Sequence, residues 1–303
     1  MFIINLLVLI FVPFLMLGVI NKTKAFWGGR KGASIWQPLF DFFKLIKKEF
    51  VISETTTFVF NIAPVINLGS VLFASLFIPI VGKNAILPIA FGIIAFSYTL
   101  GVGKFFAIIS AMDTGSSFEG MGASREACFT AMVEPAFFMV VASVMALSGN
   151  YTFDCLRNIF ASAGNYGILI TIFAVAVLFL MIVIECCRVP MDDPQTHLEL
   201  TMIHEVMILD NSSLDLALFT YANALKMLLF SSLIGIMLIP ADLTGVINIL
   251  AYLVLFMFIA ILIGTIESAM ARIRMSHIME FVFIMSSLAL IVLSLVIVRI
   301  FGG

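Results

Sequence analysis

Apolar residues along this chain gather into long runs near 2–20, 57–80, 85–108, 127–148, 165–187, 216–240, 244–265 and 278–300. Each is close to the roughly 20 residues a helix needs to cross a hydrocarbon core. Most are apolar all round, unlike the one-sided stripe of a helix on a soluble protein. The pattern predicts an all-α integral membrane protein of about eight transmembrane helices. These form a single transmembrane domain over residues 1–303, with polar segments at about 21–56, 109–126, 188–215 and 266–277. In the first polar segment, Trp36, Leu39, Phe40, Phe43, Ile46 and Phe50 make an apolar stripe opposed by Lys44, Lys47 and Lys48. That spacing predicts an amphipathic helix lying in the membrane interface. The first run lacks a basic leading region and a small-residue cleavage site, so it is expected to stay as a span.

Composition agrees with the pattern. Hydrophobic residues make up 62% and charged residues 11%, against roughly 45–50% and 25% in soluble domains. The formal charge of −2 says nothing useful about partners, because what matters is how charge divides between the two sides of the bilayer; no nucleic-acid partner is expected. Lys22, Lys24, Arg30, Lys31, Lys44, Lys47, Lys48, Lys104, Arg125, Arg188, Arg272 and Arg274 fall on one side. Only Lys83, Arg157 and Arg299 fall on the other, with Lys226 inside a span. The positive-inside rule makes the richer side cytoplasmic and puts both termini outside. The protein is then expected in the cytoplasmic (inner) membrane as a multi-pass chain.

Motifs for chemistry within the chain are missing. Cys128, Cys155, Cys186 and Cys187 have no C-x-x-C spacing and read as small apolar fillers. His204-Glu205 begins like a zinc motif, but Ile208 stands where the second histidine would be. The glycines of DTGSSFEGMGASREA lack phosphate-loop spacing, and Ser110 to Glu126 reads as an irregular, shaped loop. No catalytic residue, metal site or cofactor is assigned to this chain.

Charge inside the apolar runs is the anomaly. Glu134 lies about two turns into the fourth run, followed by Pro135, which should kink the helix and free backbone carbonyls. Glu185 and Glu267 stand at cytoplasmic ends, and Lys226 lies about 18 Å into the sixth run by helical rise. A charge at the bilayer centre costs at least about 2.5–3.5 kcal/mol on insertion scales. Together these groups outline a half-channel for protons entering from the cytoplasm. The polar cluster is densest from Glu185 to Asp210. There Asp193 can cap a short helix starting at Pro194, with His197, Thr201 and His204 on one face.

The string RVPMDDPQTHLELTMIHE, from Arg188 to Glu205, resembles the signature of the membrane subunit of membrane-bound nickel–iron hydrogenases of the formate hydrogenlyase type. That family is homologous to subunit 1 of respiratory complex I. Gln37-Pro38, Asp41, Lys44 and the Lys47-Lys48-Glu49 run look like its interfacial helix, and GMGASREA followed by Glu134 like its third loop and fourth span. The resemblance implies an anchor that couples redox chemistry to H⁺ or Na⁺ movement. Glu134, Glu185, Lys226 and Glu267 would form the ion path, and Arg188, Asp192, Asp193, His197, Glu199, His204 and Glu205 the docking surface. Expected partners are hydrogenase large and small subunits, an iron–sulfur subunit and an antiporter-like membrane subunit. The nickel–iron centre and iron–sulfur clusters would sit in those partners. The competing readings are a quinone-binding subunit with a lipid-accessible cavity between the first span, the interfacial helix and the sixth span; a self-contained cation transporter; and a passive anchor.

Overall fold

The computed structural model describes the chain apart from residues 1, 50, 52–54, 83–84, 158, 160–163, 193–202, 241, 244, 274 and 302–303. Among the described residues every regular element is helical. Seven helices among the described residues are long and apolar enough to cross a membrane. They are α1 (Phe2–Trp27), α4 (Gly92–Asp113), α5 (Ser117–Ser148), α7 (Gly167–Glu185), α9 (Ser213–Leu238), α10 (Gly245–Ala269) and α11 (Met275–Phe301). The eighth apolar run forms the shorter α3 (Phe58–Ala74), of 17 residues, about 25 Å by helical rise. So the expected set of crossings becomes seven full-length helices and one short one. The other elements are small: α2 (Gln37–Ile46), α6 (Asp154–Arg157) and the single turn α8 (His204–Met207).

The bundle is built around α9. It packs against α1, α2, α3, α7 and α10, and 83% of its most apolar window is buried, against 28% for α11. Phe230 of α9 meets Phe96 of α4 edge-on at 5.9 Å and Phe137 of α5 at 6.5 Å, so aromatic edges join three helices at one level. Helices α1 and α10 come together at Gly264, where a Cβ would collide with Thr23 and the carbonyl of Ile20.

Several boundaries differ from the sequence reading: α3 ends at Ala74 rather than 80, and α4 spans Gly92–Asp113 rather than 85–108. Helix α1 runs on to Trp27, and α5 begins at Ser117, ten residues before the apolar run at 127. The segment read as an irregular loop over Ser110–Glu126 is therefore mostly helix, with only Thr114–Ser116 turning between α4 and α5. Glycine costs a helix about 1 kcal/mol relative to alanine, which is why GMGASREA looked unfavourable. Tertiary contact overrides that cost: a Cβ at Gly122 would strike the Val206 side chain and the Ile203 carbonyl. Pro135 lies within α5, which is helical on both sides of it. At the start of α3 the Asp113 carboxylate accepts from the Thr57 N–H at 2.7 Å and from its hydroxyl, while Thr57 Oγ1 caps Val59. Cys155, Cys186 and Cys187 are buried, but Cys128 is exposed on α5, so the filler role fits three of the four.

Candidate functional site

A lysine inside α4 gathers the buried charges. Lys104 Nζ lies 3.0 Å from Glu126 Oε1 on α5 and 2.9 Å from Glu185 Oε1 at the end of α7, and it donates to Thr130 Oγ1 at 2.8 Å. All three charged side chains are about nine-tenths buried. Removal from water is tolerable for such groups only when ion pairs and hydrogen bonds offset it. One cation faces two carboxylates, so the cluster can hold an extra proton without leaving an unmatched positive charge.

Glu134 lies two turns further along α5. With Lys104, Glu185, Phe96, Phe137 and Phe230 it lines a cavity of about 20 Å³, room for about one water. A second cavity, of about 10 Å³, lies between Lys104, Glu126, Glu185, Cys187, Asp192 and Ile203. Ionisable groups therefore line a run from Glu134 past Lys104 to Asp192.

Asp192 is 1% exposed and closes the polar segment on itself. Its Oδ1 meets Arg272 at 3.1 Å, and its Oδ2 accepts from the N–H groups of Ile203 at 2.9 Å and His204 at 3.1 Å. Ile273 also donates its N–H to the Pro190 carbonyl at 3.0 Å, tying the α10–α11 connection to this segment. Asp193, His197 and Glu199 lie outside the described residues, as does the short helix expected from Pro194. Arg188 points inward, 3.5 Å from Glu267 Oε1, while Glu267 Oε2 meets Lys24 at 3.0 Å. Of the four residues expected on an ion path, Glu134 and Glu185 share one cavity, and Glu267 belongs to this separate cluster. Lys226 is 7% exposed and, among the described residues, makes no ion pair within 4.0 Å.

Outside the spans, His204 and Glu205 are half-buried on α8. Burial holds His204 below the ordinary imidazole value, with the cations Lys226 and Lys104 adding to the effect of burial while Glu126 and Asp192 oppose it. Burial pushes Glu205 up to about 7, the charge of Asp192 adding and Arg188 opposing. Both residues line a cavity of about 380 Å³ between α1, α2 and α9. Phe14, Leu17, Phe42 and Leu45 form its apolar wall, and Arg188, Thr220 and Asn223 are among its polar groups. Among the described residues, no group of three or more His, Cys, Asp or Glu converges as metal ligands would.

Sequence reasoning missed Lys104 and Glu126 as members of the site. Lys104 counted only as a cation at a span end, and Glu126 as the last residue of a loop. The available signal was Glu126, Thr130 and Glu134 at i, i+4 and i+8, which share a helix face once the helix extends that far back. Glu119 was missed too. It is fully buried and accepts from the Asp210 N–H at 2.9 Å, holding the stretch before α9 against α5.

Comparison with known proteins adds relatives to this geometry. A family model described as NADH dehydrogenase matches residues 1–298. The chain is 28% identical to hydrogenase-4 component C of Escherichia coli (strain K12) over 235 residues, 77% of this chain and 73% of the relative. It is 32% identical to formate hydrogenlyase subunit 4 of the same organism over 136 residues, 45% of this chain and 44% of that protein. It is 27% identical to an NADH-quinone oxidoreductase subunit of Bordetella avium (strain 197N), over 69% of this chain and 60% of the relative. Among solved structures, a chain of the membrane-bound sulfane sulfur reductase, an archaeal respiratory membrane complex, superposes with a TM-score of 0.80. That match covers 97% of this chain and 99% of the other at 18% identity, a likeness of fold.

Proposed function

This chain belongs to the NADH dehydrogenase family, and on that premise we propose that it is the membrane-anchor and coupling subunit of a membrane-bound nickel–iron hydrogenase complex. It lies in the cytoplasmic membrane with both termini outside. Its central polar segment faces the cytoplasm and docks the hydrogenase large and small subunits and an iron–sulfur subunit, and an antiporter-like membrane subunit sits beside it. The nickel–iron centre and iron–sulfur clusters of those partners supply the hydrogen and electron chemistry. Asp193, His197 and Glu199 belong to the docking segment, while Asp192 and Arg188 position it from beneath. Glu205, near its midpoint at neutral pH, lies where the segment meets the bundle.

The observation that carries this reading is the lined run from Glu134 past Lys104, Glu185 and Glu126 to Asp192. A proton passes between Glu134 and Glu185 through the water-sized cavity, and Lys104 holds whichever carboxylate is ionised. Lys226 and Glu267 set the field on either side. A change in the docked module reaches this run through Asp192, which accepts from the Ile203 and His204 N–H groups of the docking segment and is itself held by Arg272 from the α10–α11 connection. The relatives named for hydrogenase-4 and formate hydrogenlyase support the hydrogenase assignment.

The test sets ion uptake by vesicles against hydrogen formation in the same preparation. Glu134→Gln and Lys226→Met should assemble and should lower uptake per hydrogen, Glu134→Gln at least about tenfold, as loss of a transfer group does, while dye-linked hydrogen chemistry persists. Assembled variants with the normal ratio would return the chain to a passive anchor. The 380 Å³ cavity and the quinone-named relative favour a second reading, a quinone-binding subunit. Under that reading a photoreactive quinone should label Phe42 or Leu45 in competition with unlabelled quinone.

A further inference from the structure

Helix α2 presents two faces. Pro38, Phe42 and Leu45 turn to the large cavity, with Phe42 5.2 Å from the Phe14 ring and 5.5 Å from the Tyr221 ring. Phe40 and Phe43 are 59% and 53% exposed, and none of the helix's residues is buried. Lys44 lies on the same outer side as these rings, and Lys47 and Lys48 follow at the end of the helix, all three exposed. Among the described residues these three make no ion pair within 4.0 Å. The acid nearest in sequence on the helix, Asp41, accepts from Gln37 Nε2 at 2.8 Å. Ser213 donates its hydroxyl to the Glu49 carbonyl at 3.1 Å, so the lysine-bearing end of α2 lies level with the first residue of α9, where that span begins.

We propose that the lysine face of α2 is a docking surface for anionic phospholipid headgroups, with acyl chains running along Phe40 and Phe43. Charge complementarity carries the assignment: three exposed ammonium groups cluster within five residues. Exposed aromatic side chains beside them on the same helix belong at the boundary between headgroups and acyl chains. A phospholipid supplies both chemistries, an anionic headgroup and an apolar chain, in one molecule. The proposal does not depend on the hydrogenase assignment or on which leaflet α2 occupies.

The experiment reconstitutes the full chain in nanodiscs of equal phosphatidylglycerol and phosphatidylcholine, then counts retained lipids by native mass spectrometry after gentle detergent extraction. A lysine near an anionic surface strengthens attraction by roughly fivefold. The wild type should therefore retain phosphatidylglycerol over phosphatidylcholine by about fivefold or more. The K44Q/K47Q/K48Q chain should fall to near parity, and K44R/K47R/K48R should keep the preference. Single Lys→Gln variants, each expected to lower the preference by about twofold or more, carry the same reading should the triple variant fail to assemble. Absence of a preference in the wild type, or a preference unchanged in the Gln variants, overturns the proposal. So does release of peripheral subunits from the assembled complex by K44Q/K47Q/K48Q with lipid preference intact, which would make this face a protein interface.

Discussion

Two lysines are buried in this bundle, and their surroundings differ in kind. Lys104 on α4 reaches two carboxylates and a hydroxyl within 3.0 Å. Lys226 on the central helix α9 is buried to the same degree, 7% exposed against 8%, with no ion pair within 4.0 Å among the described residues. Depth alone therefore does not tell a structural charge from one free to respond. A fully matched cation is part of the packing, and its removal exposes its partners. Lys226, with no ion pair among the described residues, can be replaced without stranding a carboxylate that those residues show.

The largest effect should follow from Lys104→Met. It strands Glu126 and Glu185 in a site nine-tenths buried, and breaking a buried pair this way costs about 3–5 kcal/mol. Assembly and thermal unfolding in detergent should both deteriorate, and adding Glu126→Gln should recover part of the loss. Normal unfolding of the single variant would place the Lys104 cluster in the same class as Lys226. Lys226→Met should leave stability unchanged or raise it, because it puts an apolar side chain of similar length in place of a buried charge that has no ion pair among the described residues. Destabilisation as large as that of Lys104→Met would reveal a partner for Lys226 and erase the contrast.

A pH dependence is expected at Glu205, a carboxyl whose burial is likewise poorly compensated. Its value is raised from 4.5 to about 7, so the folded chain holds a proton through that window that the unfolded chain has released. Stability from this group is greatest below pH 4.5 and is lost as pH rises through about 7. The unfolding temperature should fall across that range, and Glu205→Gln should flatten the decline. A slope of the same size in Glu205→Gln would assign the dependence to another group.

The apolar runs, the amphipathic helix α2 and the clustering of Lys and Arg in the polar segments are all written in residue order. In lipid every backbone N–H and C=O must be satisfied within its own helix, so a run of apolar residues fixes a span locally. Trp36 to Ile46 likewise fixes an amphipathic helix by spacing alone. Other features took shape only on packing. Glycines in GMGASREA argued against a helix until Val206 and Ile203 packed on Gly122. Lys104 and Glu185 are 81 positions apart in the chain and meet only because α4 and α7 present those faces to each other at the same depth. Glu134 and Glu185 share a cavity, whereas Glu267 pairs with Lys24 and Arg188. Helical rotation and register decide such pairings, and both are set by the packing of side chains distant in sequence, which the period of any single helix does not contain.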